Sequence, residues 1–251
     1  EIKDVLTGKE TKLKDRMGGL SDWWDRRVEN ATRKPGRALW REMKSGAQKP
    51  FADVKTDGTD VIKQLITAVK ENKNIKVHIA GHSTGAILMA YLLERMFQTS
   101  KIKTVKIDTC SLMAPAATVA VYDHCYAPLL KNKSIRNMRI YNLTEKLEND
   151  DNVVFIYRKF LLKLVSRAFE ESEAIPGNVP ILGMQDFSQH INTTGIPLDF
   201  VYSQGDHDNG ISSQSNSHGG FDNDRSTMND ILERILGEKP KRPFTKKELD
   251  Y

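Results

Sequence analysis

The sequence is poor in several features that would place it in a large and familiar class. It holds only two cysteines, Cys110 and Cys125, well separated along the chain. Two such residues cannot build the cross-linked scaffold of a small secreted domain, and they lack the paired spacing of a zinc site. Read as plain thiols, they tilt the expected compartment toward a reducing, cytoplasmic one. No run of about 18 apolar residues occurs, so no segment qualifies as a membrane-spanning helix. No basic-then-apolar leader opens the chain, but Glu1 is not a natural start, so a trimmed or processed product is expected. There is no internal repeat and no long low-complexity segment. Histidine is scarce, with six in 251 residues and none before His78. The first 74 residues also hold no convincing strand.

Charge of a single sign is lacking too. Lys and Arg number 38 against 33 Asp and Glu, a net charge of +5 with a pI near 9.0, and the signs are mixed along the chain. Such an excess permits contact with an anionic surface but marks no basic stripe, so no nucleic-acid partner is expected. The length suffices for one large α/β domain or two small ones.

What is present is a regular alternation. Residues 1–56 are polar and helical in pattern, with Trp23, Trp24 and Trp40 set among Arg26, Arg27, Arg37 and Arg41. They suit a lid or an interfacial helix, or tryptophans packed on a core while the arginines stay wet. Asp60 to Val69 has apolar residues at spacings of three and four, the mark of an amphipathic helix. Strands are expected at Ile75–Ala80, Thr104–Asp108, Met138–Leu143 and Leu198–Ser203, with helices at Thr84–Phe97, Val154–Glu171 and Ser226–Leu236. Gly237 stops the last helix, and Glu238 to Tyr251 reads as a charged, loosely held tail. Strands alternating with helices imply a mainly parallel sheet flanked by helices, the α/β class.

One pentapeptide carries chemistry. Gly81-His82-Ser83-Thr84-Gly85 follows a strand directly and opens a helix. A strand that becomes a helix within so few residues strains the central serine and thrusts its hydroxyl out beyond the sheet edge. Ser83 is thus the candidate nucleophile. The N–H of Thr84, at the helix start, faces a developing oxyanion. A serine hydroxyl needs a base, and in this architecture the order is Ser, acid, His. His218, in Ser217-His218-Gly219-Gly220-Phe221 between the last strand and last helix, fits best, and His207 is the rival. The acid is sought after the third strand. Asp151 is preferred for its Asp151-Asn152-Val153 setting, with Asp150 and Glu145 as alternates, Glu148 nearby, and Asp206 or Asp208 if the acid sits one strand later.

The elbow, the Met113-Ala114-Pro115-Ala116 strand end and the His218 loop together resemble the α/β-hydrolase superfamily of esterases and lipases, over about residues 57–237. The resemblance implies carboxylic-ester hydrolysis through an acyl-enzyme on an ester or lipid substrate, without metal or organic cofactor. A thioesterase or acyltransferase with the same triad, or a non-catalytic binding protein on this scaffold, are the alternatives. It also implies strands ahead of the elbow strand, one of which supplies the second oxyanion donor. Those strands are expected in a missing N-terminal segment or a companion chain. The helical N-terminal segment, 1–56, would then serve as lid or membrane-surface contact.

Overall fold

The computed structural model describes residues 30–31, 33–99, 105–150, 161–171, 178–205 and 212–250. Trp23, Trp24, Arg26, Arg27, Asp151, Asp206, His207 and Asp208 lie outside them.

Four strands form one sheet in the order β1-β2-β3-β4: Val77–His82, Ile107–Met113, Met138–Leu143 and Leu198–Ser203. Every neighbouring pair is parallel. Such pairs need a crossover connection, and the sequence supplies each one. The last two strands fall where their hydrophobic runs place them; β1 begins two residues later than expected, and β2 runs from Ile107 through to Met113.

The principal helices, in chain order, are α1 over 33–48, α2 over Asp57–Glu71, α3 over Gly85–Thr99, α4 over 119–131, α5 over Glu145–Asp150, α6 over Leu161–Leu164 with a π-helical turn at Val165–Phe169, and α7 over Arg225–Leu236, and one further helical turn spans Gln185–Ser188. In α2, Thr59, Ile62, Ile66 and Val69 are buried, the three-and-four spacing of a single apolar face. Its first turn carries Asp57 and Asp60, which suit the positive end of the helix dipole. α4 contains a π-helical turn at Tyr122–Tyr126 that places Tyr126 in the core, its hydroxyl donating to Ala86 O at 2.6 Å. Asp224 caps α7 by accepting from Ser226 N and Thr227 N, and Gly237 ends it in the left-handed region at φ 76°.

Successive side chains of a strand point to opposite faces, and both faces of this sheet are covered. On one, Arg139 and Tyr141 reach Asp230 of α7, and Ser111 accepts from Arg234. On the other, Asn142 donates to Leu182 O and Ser188 Oγ. The sheet is therefore a buried layer, and its strand ends are the free edges of the core. Cys110 and Cys125 are both buried, and burial pushes their thiols up to about 12 and about 11, as plain protonated side chains.

Both described ends of the chain are packed against the rest of the domain, and Trp40 follows the reading in which a tryptophan packs on the core. Trp40 is buried, and its indole N–H donates to Glu170, which also pairs with Lys44. Arg37 donates to Ala168 O at 3.0 Å and faces Glu171 at 3.3 Å, and a Cβ on Gly36 would collide with the Phe169 ring. Helix α1 is thus seated on the α6 segment. The tail, expected to be loosely held, is tied to α7 instead. Asn229 and Phe244 exchange two hydrogen bonds, Thr245 and Glu248 form a capping box, and Leu249 is buried.

Candidate active site

The turn between β1 and α3 has the geometry that its pentapeptide implies. Ser83 has φ 53°, a left-handed conformation that an L-residue adopts at a cost of about 1–2 kcal/mol. The surroundings hold it there. Ser83 N donates to Met113 O, and Ser83 O accepts from both Ala86 N and Ala116 N. A Cβ on Gly81 would lie 3.0 Å from the backbone of Gly85, so a larger residue there would have to push strand and helix apart by a few tenths of an ångström. Gly85 has open space beside it. Of the two flanking glycines, it is the first that close packing favours.

The helical ladder of α3 begins with Ala86 N on Ser83 O and Ile87 N on Thr84 O. The N–H groups of Thr84 and Gly85 precede that ladder, as the first donors of any helix do. Next to the elbow, Ala114 also has a positive φ, 39°, at the end of β2. This second strained residue swings Pro115 and Ala116 against the serine, with Gly183 N donating to Pro115 O at 2.9 Å.

His218 opens a short 3-10 turn, His218–Gly220, in the loop between β4 and α7. Its Nε2 stands 2.9 Å from Ser83 Oγ. Residues 135 positions apart are thus brought to hydrogen-bonding distance. The ring is 8% exposed, and burial, followed by the nearby His82, pushes its pKa down from 6.5 to about 3, with Asp222 acting against them. A neutral imidazole beside a serine hydroxyl is a competent proton acceptor.

The acid candidates are divided by the fold. Asp151, Asp206 and Asp208 lie outside the described residues. Glu145 is exposed on α5, and its backbone N–H donates to the Gln185 side chain. Asp150, the last residue of that helix, is exposed as well. Glu148 is fully buried and accepts the Gln185 N–H at 2.8 Å; burial raises its pKa to about 7.

Asp222, which no sequence pattern marks, stands 3.4 Å from His82 Nδ1, while His82 Nε2 is 2.7 Å from His218 O. Asp222 lies four residues after His218, a spacing with no signature of its own. His78 is packed in β1 with its Nδ1 on Thr109 Oγ, and His124 is exposed beside Glu94.

A cavity of about 150 Å³ opens beside Ser83. Its walls include Leu39, Trp40 and Met43 of α1 on one side and Leu161, Val165 and Phe169 on the other, with Ser83, Thr84 and Ala116 lining it as well. Its lining is almost wholly apolar, suited to a hydrocarbon chain. Helix α1 thus supplies one wall of the serine's pocket. Among the described residues, one group could offer three ligand atoms to a metal, Glu94, His124 and Cys125, within 4.8 Å of one another. The buried Cys125 thiol would first have to lose its proton.

The sequence profile of a family described as alpha/beta hydrolase of unknown function, DUF900, matches residues 54–191, just over half of the chain. That span covers α2, the elbow, β2 and β3, and ends before β4. No curated protein and no solved structure matches the sequence.

Proposed function

The chain belongs to this family of α/β hydrolases of unknown function, and from that premise we propose that it cleaves carboxylic esters through an acyl-enzyme on Ser83. The observation that carries the reading is the 2.9 Å approach of His218 Nε2 to the hydroxyl of a serine held in a left-handed turn. In this reading Ser83 Oγ attacks the ester carbonyl as His218 Nε2 takes its proton. The Thr84 N–H, ahead of the α3 ladder, donates to the carbonyl oxygen as it gains charge. The tetrahedral adduct collapses, and His218 returns the proton to the departing alkoxide. Water then attacks the acyl-enzyme with His218 as base, releasing the acid and restoring Ser83. Asp151 is the carboxylate assigned to orient His218, ahead of Asp150 and Glu145.

The apolar cavity beside Ser83 supports an acyl chain rather than a polar group in the acid half of the ester. Leu39 and Met43 line that cavity and yet are 64% and 42% exposed, which suits an apolar substrate that arrives from a lipid surface. A fluorophosphonate probe tests the core of the proposal. Labelling of the wild type that vanishes in Ser83→Ala, together with turnover of p-nitrophenyl esters, is the expected result. A folded wild-type protein that neither labels nor turns over any ester of a short-to-long acyl panel would overturn it.

A further inference from the structure

His82 has no role in the reaction written above, yet it touches both halves of the site. It precedes the nucleophile directly, at the last position of β1. Its Nε2 is 2.7 Å from the backbone carbonyl of His218, and its Nδ1 is 3.4 Å from Asp222 Oδ2. The two imidazole rings lie 5.5 Å apart, and the buried Phe221 meets the His82 ring edge-on at 6.4 Å.

The backbone carbonyl of His218 only accepts hydrogen bonds, so the Nε2 that meets it at 2.7 Å is the donor. Asp222 stands 3.4 Å from the other ring nitrogen, on the opposite side of the ring. Asp222, His82 and the His218 carbonyl thus form a chain running across the gap between elbow and loop.

The loop needs such a tie. His218 is followed by Gly219 and Gly220, which impose little on the backbone by themselves. Catalytic geometry tolerates displacements of only fractions of an ångström, so a base on a glycine-rich loop must be held from outside. The tether runs from the residue beside the nucleophile to the carbonyl of the base itself, so it fixes the distance between them. His82 also adds to burial in pushing the His218 pKa down, which favours the neutral, proton-accepting form of that ring.

We propose that His82, oriented by Asp222, is a positioning residue that clamps the His218 loop to the nucleophile elbow in register for proton transfer. The proposal rests on the assignment of Ser83 and His218 as nucleophile and base. Asp222 and His218 are the titratable groups in contact with His82 among the described residues.

The test compares wild type with His82→Phe, His82→Gln and Asp222→Asn on the full chain, with folding checked by circular dichroism. The probe is p-nitrophenyl butyrate, and the second readout is amide hydrogen exchange at Gly219 and Gly220. His82→Phe keeps a ring but loses both polar atoms. It is expected to lower kcat about 10- to 100-fold with KM within about twofold, and to speed exchange in the loop. His82→Gln retains a donor for the His218 carbonyl and is expected to recover most of kcat. Asp222→Asn should fall between in both kcat and loop exchange, because the His82 ring keeps its donor to the His218 carbonyl but is oriented less firmly. Unchanged kcat and unchanged exchange in His82→Phe would overturn the clamp, while Ser83 labelling in the same samples would leave the hydrolase reading standing. If the wild type turns over no ester, the exchange readout decides alone: faster exchange in His82→Phe upholds the clamp, and unchanged exchange overturns it.

Discussion

Replacing Ser83 by glycine should separate stability from chemistry. At φ 53° the serine backbone sits in the left-handed region, which costs an L-residue about 1–2 kcal/mol. Ser83→Ala removes the hydroxyl and its contact with His218 but keeps the strain. Ser83→Gly removes the same contact and releases the strain as well. Glycine gives back about 0.4–1 kcal/mol through the greater freedom of its unfolded chain. The glycine variant should therefore be more stable than the alanine variant by about 0.8 kcal/mol at the middle of these ranges, whose limits are about 0 and 1.6 kcal/mol. At about 2–4 °C of Tm per kcal/mol for a chain of this size, that is a difference of about 1–4 °C. Comparing the two variants cancels the lost hydrogen bond, so only the backbone term is left. The assay is the urea midpoint at constant m-value, supported by thermal melts, with fluorophosphonate labelling absent in both variants. Lys133, at φ 60°, lies outside the site and serves as the control; Lys133→Gly should exceed Lys133→Ala in the same sense. If Ser83→Ala proves as stable as Ser83→Gly while the Lys133 pair behaves as stated, the elbow is not strained and the reasoning fails.

Three further outcomes follow from the same structure. Met43→Ala opens the α1 wall of the cavity and should shift relative kcat/KM toward longer acyl chains, by about fourfold per methylene newly accommodated; an unchanged chain-length profile would remove α1 from the acyl site. His218 is depressed from 6.5 to about 3, so kcat/KM should hold well below pH 6.5, and because the unfolded state binds the extra proton, the stability this group contributes should be present above pH 6.5 and be lost as pH falls toward 3; a kcat/KM limb centred at 6.5 would contradict its burial. Glu148, raised from 4.5 to about 7, keeps its proton longer when folded, so stability should fall as pH rises from 4.5 through 7, and Glu148→Gln should flatten that part of a urea-midpoint profile.

The alternation of short apolar runs with amphipathic stretches was enough to place β3 and β4 to the residue, because strand period and helix period are local properties of the chain. The elbow was legible for a related reason. Gly81 and Ser83 answer to constraints between residues within a few positions of one another: the approach of β1 to α3, and a turn too tight for an ordinary φ. His218 could be nominated because the hydrolase order of serine, acid and histidine puts the base in the loop between the last strand and the last helix, and the structure sets that side chain 2.9 Å from Ser83.

Other features had no local cause and could not be read. Asp222 and His82 meet because the loop after β4 folds back over the end of β1, a contact between segments 140 positions apart whose residues carry no shared spacing. Glu148 reads as one of several carboxylates after the third strand, and its burial, with the Gln185 N–H donating to it, comes from a segment 37 positions away. The tryptophan-rich N-terminal pattern was visible, but whether Trp40 faced water, lipid or protein depended on Glu170, which lies 130 positions away and accepts its indole N–H. Sequence alone marked Ser83 as the residue of a strained turn and nominated His218, with His207 as its rival, to face it. The tertiary structure decided what surrounds it: an apolar cavity walled by α1, and a histidine clamp at the base, both made by side chains from distant segments that close packing brings together.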